Sequence, residues 1–454
     1  MQPDTNLIRR WNTAAPRYTS YPTVPCWQHS PEEEEWKNEV RFTYATLPAN
    51  EGISLYIHLP YCESLCTYCG CNTRITINHA VEEPYVNAVL KEWEMYTQLF
   101  SSTPQIRELH LGGGTPTFFS ATNLHKLISG IFSKAVMHPN ASLSFEAHPA
   151  NTTVEHLETL YALGFRRLSL GIQDFDPLVQ KTINRTQSFE SVREVTEAAR
   201  RIGYTSVNFD LIYGLPKQTL QSVRETFRLT NQLRPDRIAF YSYAHVPWIK
   251  PGQRSFTEAD LPGNEQKLAL YNCGRQMLEE AGYKEIGMDH FALPADELNK
   301  AAEEGTLHRN FMGYTTSPSR LLIGLGVSAI SDSWLAYAQN FKTVEAYLDA
   351  VNNGRLPVFR GHLLNAEDVK MRRHILNIMC RYATHWPAGT HEQAFYQTIA
   401  DRLTPHRNDG LVKLSPGSLE VTPLGRAFLR NICMAFDERL YASEQEKVMF
   451  SKTV

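Results

Sequence analysis

Four cysteines within ten residues carry the clearest chemical signal of the chain. Cys62, Cys66 and Cys69 follow the spacing Cys-x3-Cys-x2-Cys, and Cys71 comes two residues later. A short loop with this spacing can place three thiolates around one iron–sulfur cluster, while a cluster of four irons has room for a fourth ligand. An iron without a protein ligand can bind and activate a small molecule. The triplet therefore predicts a catalytic cluster and fits an electron-transfer cluster less well.

A structural zinc site and a redox Cys-x2-Cys motif are the two other uses of such cysteines. Zinc sites usually combine two separated pairs of Cys or His, and the sequence has no convincing second pair. Tyr68, directly before the third cysteine, offers a flat ring that can pack against an adenine. The isolated Cys26, Cys273, Cys380 and Cys433 are expected to be small buried residues.

Composition places the chain among ordinary globular proteins. Of its 454 residues 42% are hydrophobic and 20% charged, and the net charge of -3 gives no field that would collect nucleic acid or an anionic membrane. Residues 1–11 contain no apolar signal segment, and the longest apolar run, at 321–330, is too short for a membrane span. We expect a cytoplasmic monomer without a nucleic-acid or membrane partner.

Short apolar runs alternate with amphipathic helical patterns from residue 53 onward. This alternation is typical of buried parallel strands joined by right-handed helical crossovers, and it predicts an α/β fold with a partial (β/α)6 barrel. Residues 84–100 show the helical spacing best, with an apolar face at steps of three and four. The predicted strands are residues 53–59, 106–111, 143–148, 167–173, 206–213 and 237–244.

Residues suited to chemistry fall at or near the ends of these strands, where such folds carry their sites. Gly112-Gly-Gly-Thr115 follows the second strand, Glu146 and Gln173 lie near the ends of the third and fourth, and Asp210 lies in the fifth. A glycine run allows close approach of a ligand to bare backbone. Taken alone, it could equally form a tight turn or a phosphate cradle.

The cysteine spacing, with an aromatic residue before the third cysteine and the strand Tyr56-Ile-His-Leu-Pro60 in front, resembles the radical S-adenosylmethionine (SAM) enzymes. Further segments narrow the resemblance to the group of oxygen-independent coproporphyrinogen III oxidases, in which Cys71 is the sharpest discriminator. The segments are residues 16–22 (PRYTSYP), 170–175 (LGIQDF), 210–217 (DLIYGLPK), 286–292 (IGMDHFA), 308–316 (HRNFMGYTT) and 430–434 (RNICM).

The resemblance implies a [4Fe-4S] cluster on Cys62, Cys66 and Cys69 and two SAM molecules side by side. The first SAM would contact Tyr56, Gly113, Glu146 and Arg185. The second would contact Tyr68, Gly70, Gly114, Thr115, Gln173, Asp210, Ala244 and Ile330, with Cys71 beside it as a catalytic residue. At the position of His148 the resembled group is expected to have an acid.

The implied reaction is the oxidative decarboxylation of two propionates of coproporphyrinogen III to vinyl groups, giving protoporphyrinogen IX. The sequence does not identify the electron donor or acceptor. There are two alternatives. One is a haem-binding or haem-delivery protein, and the other is a radical SAM enzyme that acts on another tetrapyrrole. We hypothesise that Arg17, with His290 and Arg309 as weaker candidates, holds substrate propionates.

Three units are predicted along the chain. Residues 1–50 form an N-terminal arm with a helix at 31–47, residues 51–355 form the radical SAM barrel, and residues 356–454 form a mostly helical C-terminal domain. In that last unit helices at 367–382 and 390–403, two short strands within 410–422 and a helix from about Leu424 resemble a winged helix. Its basic residues are diluted by acids, which argues against nucleic-acid binding.

Overall fold

A twelve-stranded sheet forms the centre of the computed structural model, which describes residues 5–387 and 393–442. Six neighbouring strands within it run parallel in sequence order, so the predicted (β/α)6 arrangement is confirmed. They are β1 (Ile53–Leu59), β2 (Gln105–Gly113), β3 (Val136–Ala147), β4 (Arg167–Gln173), β5 (Ser206–Tyr213) and β6 (Arg237–Ser242). β1, β4 and β5 have the predicted bounds, whereas β3 begins earlier than expected.

The sheet continues past both ends of this set, which the sequence analysis did not predict. Next to β1 lies a further parallel strand, β7 (Leu322–Leu325), so the apolar run at 321–330 contains a strand and a turn. Beyond β7 the antiparallel strands are Ile330–Asp332, Ala336–Asn340 and Val358–Leu363. Beyond β6 they are His290–Ala292 and Lys284–Gly287.

Helices connect the strands and bury their apolar faces against the sheet in one large core that includes Trp93, Phe145 and Phe209. No helix in the described ranges is long and apolar enough to cross a membrane. The helices are α1 (Thr5–Trp11), α2 (Glu33–Thr46), α3 (Glu82–Thr97), α4 (Ala121–Phe132), α5 (Val154–Ala162), α6 (Pro177–Thr182), α7 (Phe189–Ile202), α8 (Leu220–Leu233), α9 (Asn264–Glu280), α10 (Glu297–Glu304), α11 (Val344–Asn352), α12 (Ala366–Arg381), α13 (Gln393–Asn408), α14 (Leu429–Met434) and α15 (Glu438–Ala442).

The C-terminal part has the helices and small sheet expected of a winged-helix-like unit. Strands Val412–Ser415 and Ser418–Val421 form a hairpin that pairs with Ala383–His385. The helix predicted at 390–403 is α13, while residues 390–392 lie outside the described ranges. A 3₁₀ turn at Gly425–Phe428 precedes α14, where one continuous helix was expected. The domain boundaries at residues 50 and 355 stay predictions.

Candidate active site

The cysteine loop follows β1 and lines a cavity of about 580 Å³ near the carboxyl ends of the parallel strands. Cys62 Sγ lies 3.2 Å from Thr115 Oγ1, and the Cys71 backbone N–H donates to Cys69 Sγ at 3.4 Å. Arg185 Nη1 donates to Cys66 Sγ at 3.6 Å. Each thiol of the triplet thus has a hydrogen-bonding partner that can support a sulfur ligand.

Loops after β4 and β6 hold the cysteine loop in place. Asn184 Nδ2 donates to the Leu65 carbonyl at 2.8 Å, and Lys250 Nζ donates to the Cys71 carbonyl at 3.1 Å. Gln253 Nε2 donates to the carbonyl of Tyr68 at 3.1 Å. These three anchoring side chains were not predicted from the sequence, because each donates to a backbone carbonyl that is far away along the chain.

Three cysteines of the loop differ in the pKa of their thiols. Burial raises the pKa of Cys62 to about 11, against the hydrogen bond with Thr115. A hydrogen bond from Cys71 lowers the pKa of Cys69 to about 6, and the same contact raises the pKa of Cys71 well above its usual value. Cys69 is therefore the thiol most ready to act as a thiolate ligand.

The donor set fits a multi-iron cluster better than a single ion. Within residues 5–387 and 393–442 no three His, Cys, Asp or Glu side chains converge closely enough to hold one metal ion. Thiolates around a four-iron cluster bind different irons, so they need not converge on one point. Three soft sulfur donors around one cavity are the ligands that such a cluster prefers.

The glycine turn after β2 packs directly against the cysteine loop. A Cβ atom on Gly114 would lie 2.5 Å from the Pro60 carbonyl oxygen, and Gly113 has a φ of +119°, so both positions need glycine. Backbone N–H groups of Gly114 and Thr115 donate to the carbonyls of Leu59 and Tyr61 at 2.8 and 3.0 Å. The turn and the cysteine loop therefore form one rigid wall of the cavity.

Glu146, near the end of β3, is an ionised carboxylate inside this wall. Its oxygens accept from the Gly113 N–H at 3.1 Å and lie 3.4 Å from His110 Nε2. Burial alone would raise its pKa, but His110 and the Gly113 N–H outweigh burial and lower it below the usual value. His110 was not predicted, although its alternation with Gly112 on β2 points it to the same face.

Arg185 lines the same cavity and keeps at least one N–H group without a partner among the described residues. Its Nη2 donates to the Gly171 carbonyl at 2.5 Å, while its buried Nε has no partner in the described structure. A guanidinium with a free donor suits a carboxylate. His148, where an acid was expected, lines the same cavity, and burial followed by the charge of Arg185 lowers its pKa to about 3, so the imidazole is neutral.

Asp210 and Gln173 also line the main cavity. Ser169 Oγ and Asn208 Nδ2 donate to the two carboxylate oxygens of Asp210 at 3.0 and 2.8 Å. Burial, and then the charge of Glu146, raise the pKa of Asp210 to about 6. Gln173 has a φ of +67°, a strained conformation that turns the chain at the end of β4.

A second cavity of about 240 Å³ shares Glu146 with the first and is lined by Tyr56 and Ile330. The Tyr56 hydroxyl lies 3.0 Å from His58 Nδ1, and His58 Nε2 donates to the Asn72 carbonyl at 2.8 Å. The predicted residues that line the main cavity are Cys62, Cys66, Tyr68, Cys69, Gly70, Cys71, Gly113, Gly114, Thr115, Glu146, Gln173, Arg185 and Asp210.

Ala244, Arg17, His290 and Arg309 line neither cavity. The Ala244 carbonyl accepts from Gln253, which also bonds the cysteine loop. The other three lie behind Tyr241, a residue of the main cavity wall. All the predicted cluster and cofactor residues except Ala244 thus line these two cavities, and their individual roles stay predictions.

Comparison with known proteins agrees with this site. The profile of the Radical SAM superfamily matches residues 56–230. The chain is 39% identical to the oxygen-independent coproporphyrinogen III oxidase of Salmonella typhimurium and 38% identical to that of Escherichia coli, over 96% of this chain and 95% of each relative.

A solved structure extends the likeness to the whole fold. The coproporphyrinogen III oxidase of Escherichia coli, described as a radical SAM enzyme, superposes with a TM-score of 0.89 at 37% identity. The match covers 96% of this chain and 98% of the other. The chain therefore belongs to the oxygen-independent coproporphyrinogen III oxidase family of the Radical SAM superfamily.

Proposed function

We propose that this chain converts coproporphyrinogen III to protoporphyrinogen IX without oxygen, by oxidative decarboxylation of two propionates to vinyl groups. The observation that carries the proposal is the single cavity in which the three cysteine thiols, Glu146 and Arg185 meet. The relatives that are named for this activity match the chain over nearly their whole length.

Cys62, Cys66 and Cys69 would hold a [4Fe-4S] cluster that leaves one iron open. When bound, the cluster supplies the electron that splits SAM into methionine and a 5′-deoxyadenosyl radical, which takes a hydrogen atom from the β-carbon of a propionate. The side chain then loses CO2 and one electron to an acceptor and keeps a vinyl group. The electron donor and the acceptor are external partners of unknown identity.

The protein's own part in this reaction is to bind and orient. Arg185 offers its free N–H to the SAM carboxylate, and ionised Glu146 offers its charge to the ammonium group. Asp210 is a second acid, held by different donors, that can accept another ammonium, which supports the proposal of two SAM sites. The cysteine loop and the glycine turn pack against each other and hold this wall of the cavity in place.

An anaerobic assay tests the proposal. Protein with a reconstituted cluster is given SAM, a reductant and either coproporphyrinogen III or haem, and the products are separated by chromatography. We expect protoporphyrinogen IX together with methionine and 5′-deoxyadenosine from coproporphyrinogen III. Tight haem binding without any decarboxylated product would instead favour a haem-delivery role.

A further inference from the structure

Arg309 is a buried arginine for which the described part of the chain shows no side-chain hydrogen bond or ion pair. It is 6% exposed, and its Nε and Nη1 atoms donate to no residue of the described structure. Its guanidinium carbon lies 4.6 Å from the centroid of the Tyr314 ring. A buried charge that nothing pairs is costly in a folded protein. Such a group indicates an anionic ligand that the chain alone does not supply.

This arginine lies near residues that line both cavities of the site. It stands in the short hairpin of His308–Asn310 and Gly313–Thr315, and the next residues, Phe311 and Met312, line the smaller cavity. Tyr241, a wall residue of the main cavity, is near enough for the charge of Arg309 to act on it. Burial raises the pKa of Tyr241, and the nearby charges of Arg17 and Arg309 oppose that rise.

The two neighbouring basic residues are already engaged. Arg17 Nη1 pairs with Asp289 at 3.0 Å, and its Nη2 donates to the Ser242 carbonyl at 3.3 Å. His290 Nδ1 donates to the Met288 carbonyl at 2.7 Å. Burial, then the charge of Arg309, lower the pKa of His290 to about 4, so this imidazole is neutral. Of the three candidates, Arg309 is therefore the one whose hydrogen-bond donors remain available, although Arg17 was expected first from the sequence.

We propose that Arg309 binds the carboxylate of a propionate that the reaction leaves in place. The inference rests on the proposed function, which supplies a substrate with four propionates of which two are retained. A guanidinium can hold a carboxylate through two parallel hydrogen bonds. The same ion pair stabilises the carboxylate in its charged form and so opposes its departure as CO2. A retained side chain is therefore the fitting ligand.

Binding of oxidised porphyrins tests Arg309 without turnover. Coproporphyrin III carries all four propionates, and protoporphyrin IX carries only the two that are retained. We expect Arg309→Gln in the cluster-loaded protein to raise the Kd of both porphyrins at least tenfold, measured by fluorescence. Arg193→Gln, which removes an exposed arginine of α7, should leave both values unchanged. Wild-type affinity for both porphyrins in the Arg309→Gln protein would overturn the proposal, and so would a loss confined to coproporphyrin III.

A second variant keeps the test decisive if the glutamine protein does not fold. Arg309→Lys retains the charge but loses the paired donors. Its Kd for each porphyrin should therefore lie between those of the wild-type and Arg309→Gln proteins. A Kd equal to the wild-type value would overturn the proposal. In turnover, either variant should raise KM for coproporphyrinogen III while SAM cleavage without substrate stays at the wild-type rate. If the wild-type protein made no protoporphyrinogen IX, the proposed function would fail, while the binding data would still decide the role of Arg309.

Discussion

At the scale of single residues, we predict that the four clustered cysteines divide into three cluster ligands and one residue, Cys71, that is not a ligand. Cys62 and Cys66 contact donors on other parts of the chain, whereas the Cys71 backbone supports Cys69 from within the loop. Cys71 thus assists a neighbouring thiolate. Counting cysteines alone would have made it the fourth ligand.

Replacing Cys71 separates its role from that of the ligands. Cys71→Ser should keep the iron and sulfide content of the reconstituted protein, because three thiolates remain to bind the cluster. It should lower the rate of protoporphyrinogen IX formation at least tenfold, as expected for a catalytic residue. Cys66→Ser, the matched change at a ligand, should lose most of the iron. Equal iron loss in both proteins, measured by iron analysis and electron paramagnetic resonance, would contradict the division.

Asp210 gives the site a pH dependence. Its pKa is raised to about 6, so the carboxylate is protonated below that pH and cannot attract an ammonium group. We expect the affinity for the second SAM to fall as the pH drops from about 7 to 5, measured by calorimetry on the cluster-loaded protein. Asp210→Asn should bind this SAM weakly at every pH. A variant that kept the wild-type pH profile would show that another group titrates.

At the scale of elements, the parallel strands could be predicted and the edges of the sheet could not. In β4 and β5 a buried apolar residue recurs at every second position, as at Leu168, Leu170 and Ile172, because one face of each strand packs against the helices, so their bounds can be read from hydropathy. Strands such as Ile330–Asp332 have three residues, too few to show a period. Strand-end placement likewise predicted Glu146 and Asp210. It could not predict Gln253, whose partners are set only by how two loops meet.

Glu92 on α3 ties the barrel helices to the added edge of the sheet. Its carboxyl group is fully buried and accepts from the Gly326 N–H, Asn340 Nδ2 and Tyr347 Oη at 2.8, 2.7 and 2.7 Å. Burial, partly offset by these hydrogen bonds, raises its pKa from 4.5 to about 7. Between these values the folded protein binds a proton that the unfolded chain has released, so stability falls as the pH rises through this window.

Glu92→Gln should remove this part of the pH dependence. In the wild-type protein, Glu92 should lower the free energy of unfolding by roughly 3 kcal/mol between pH 4.5 and 7. The variant should show a correspondingly flatter profile in denaturant titrations at a series of pH values. Glu94→Gln, at an exposed position of the same helix, is the control and should stay close to the wild-type profile. Parallel profiles for Glu92→Gln and wild type would refute the assignment.

At the scale of the whole molecule, the N-terminal arm joins the barrel to the C-terminal part. The Tyr337 hydroxyl, on the barrel sheet, donates to the Tyr21 carbonyl at 3.1 Å. The Tyr18 hydroxyl donates to Asp437 at 3.0 Å, and Asn431 Nδ2 donates to the Trp11 carbonyl at 3.0 Å. Arg17 lies on the same arm beside Tyr241, so the segment that fastens the two parts also reaches the wall of the main cavity.

The buried pair of Tyr18 and Asp437 should be a measurable part of this connection. Tyr18→Phe removes a donor from a buried carboxyl group and should lower the free energy of unfolding by about 1–2 kcal/mol, measured by denaturant titration. Tyr44→Phe, which loses a hydrogen bond at an exposed position, should change it by less than about 0.5 kcal/mol. Asp437→Asn combined with Tyr18→Phe should cost less than the sum of the single changes, since both act on one hydrogen bond. Strict additivity would show that the arm is held elsewhere.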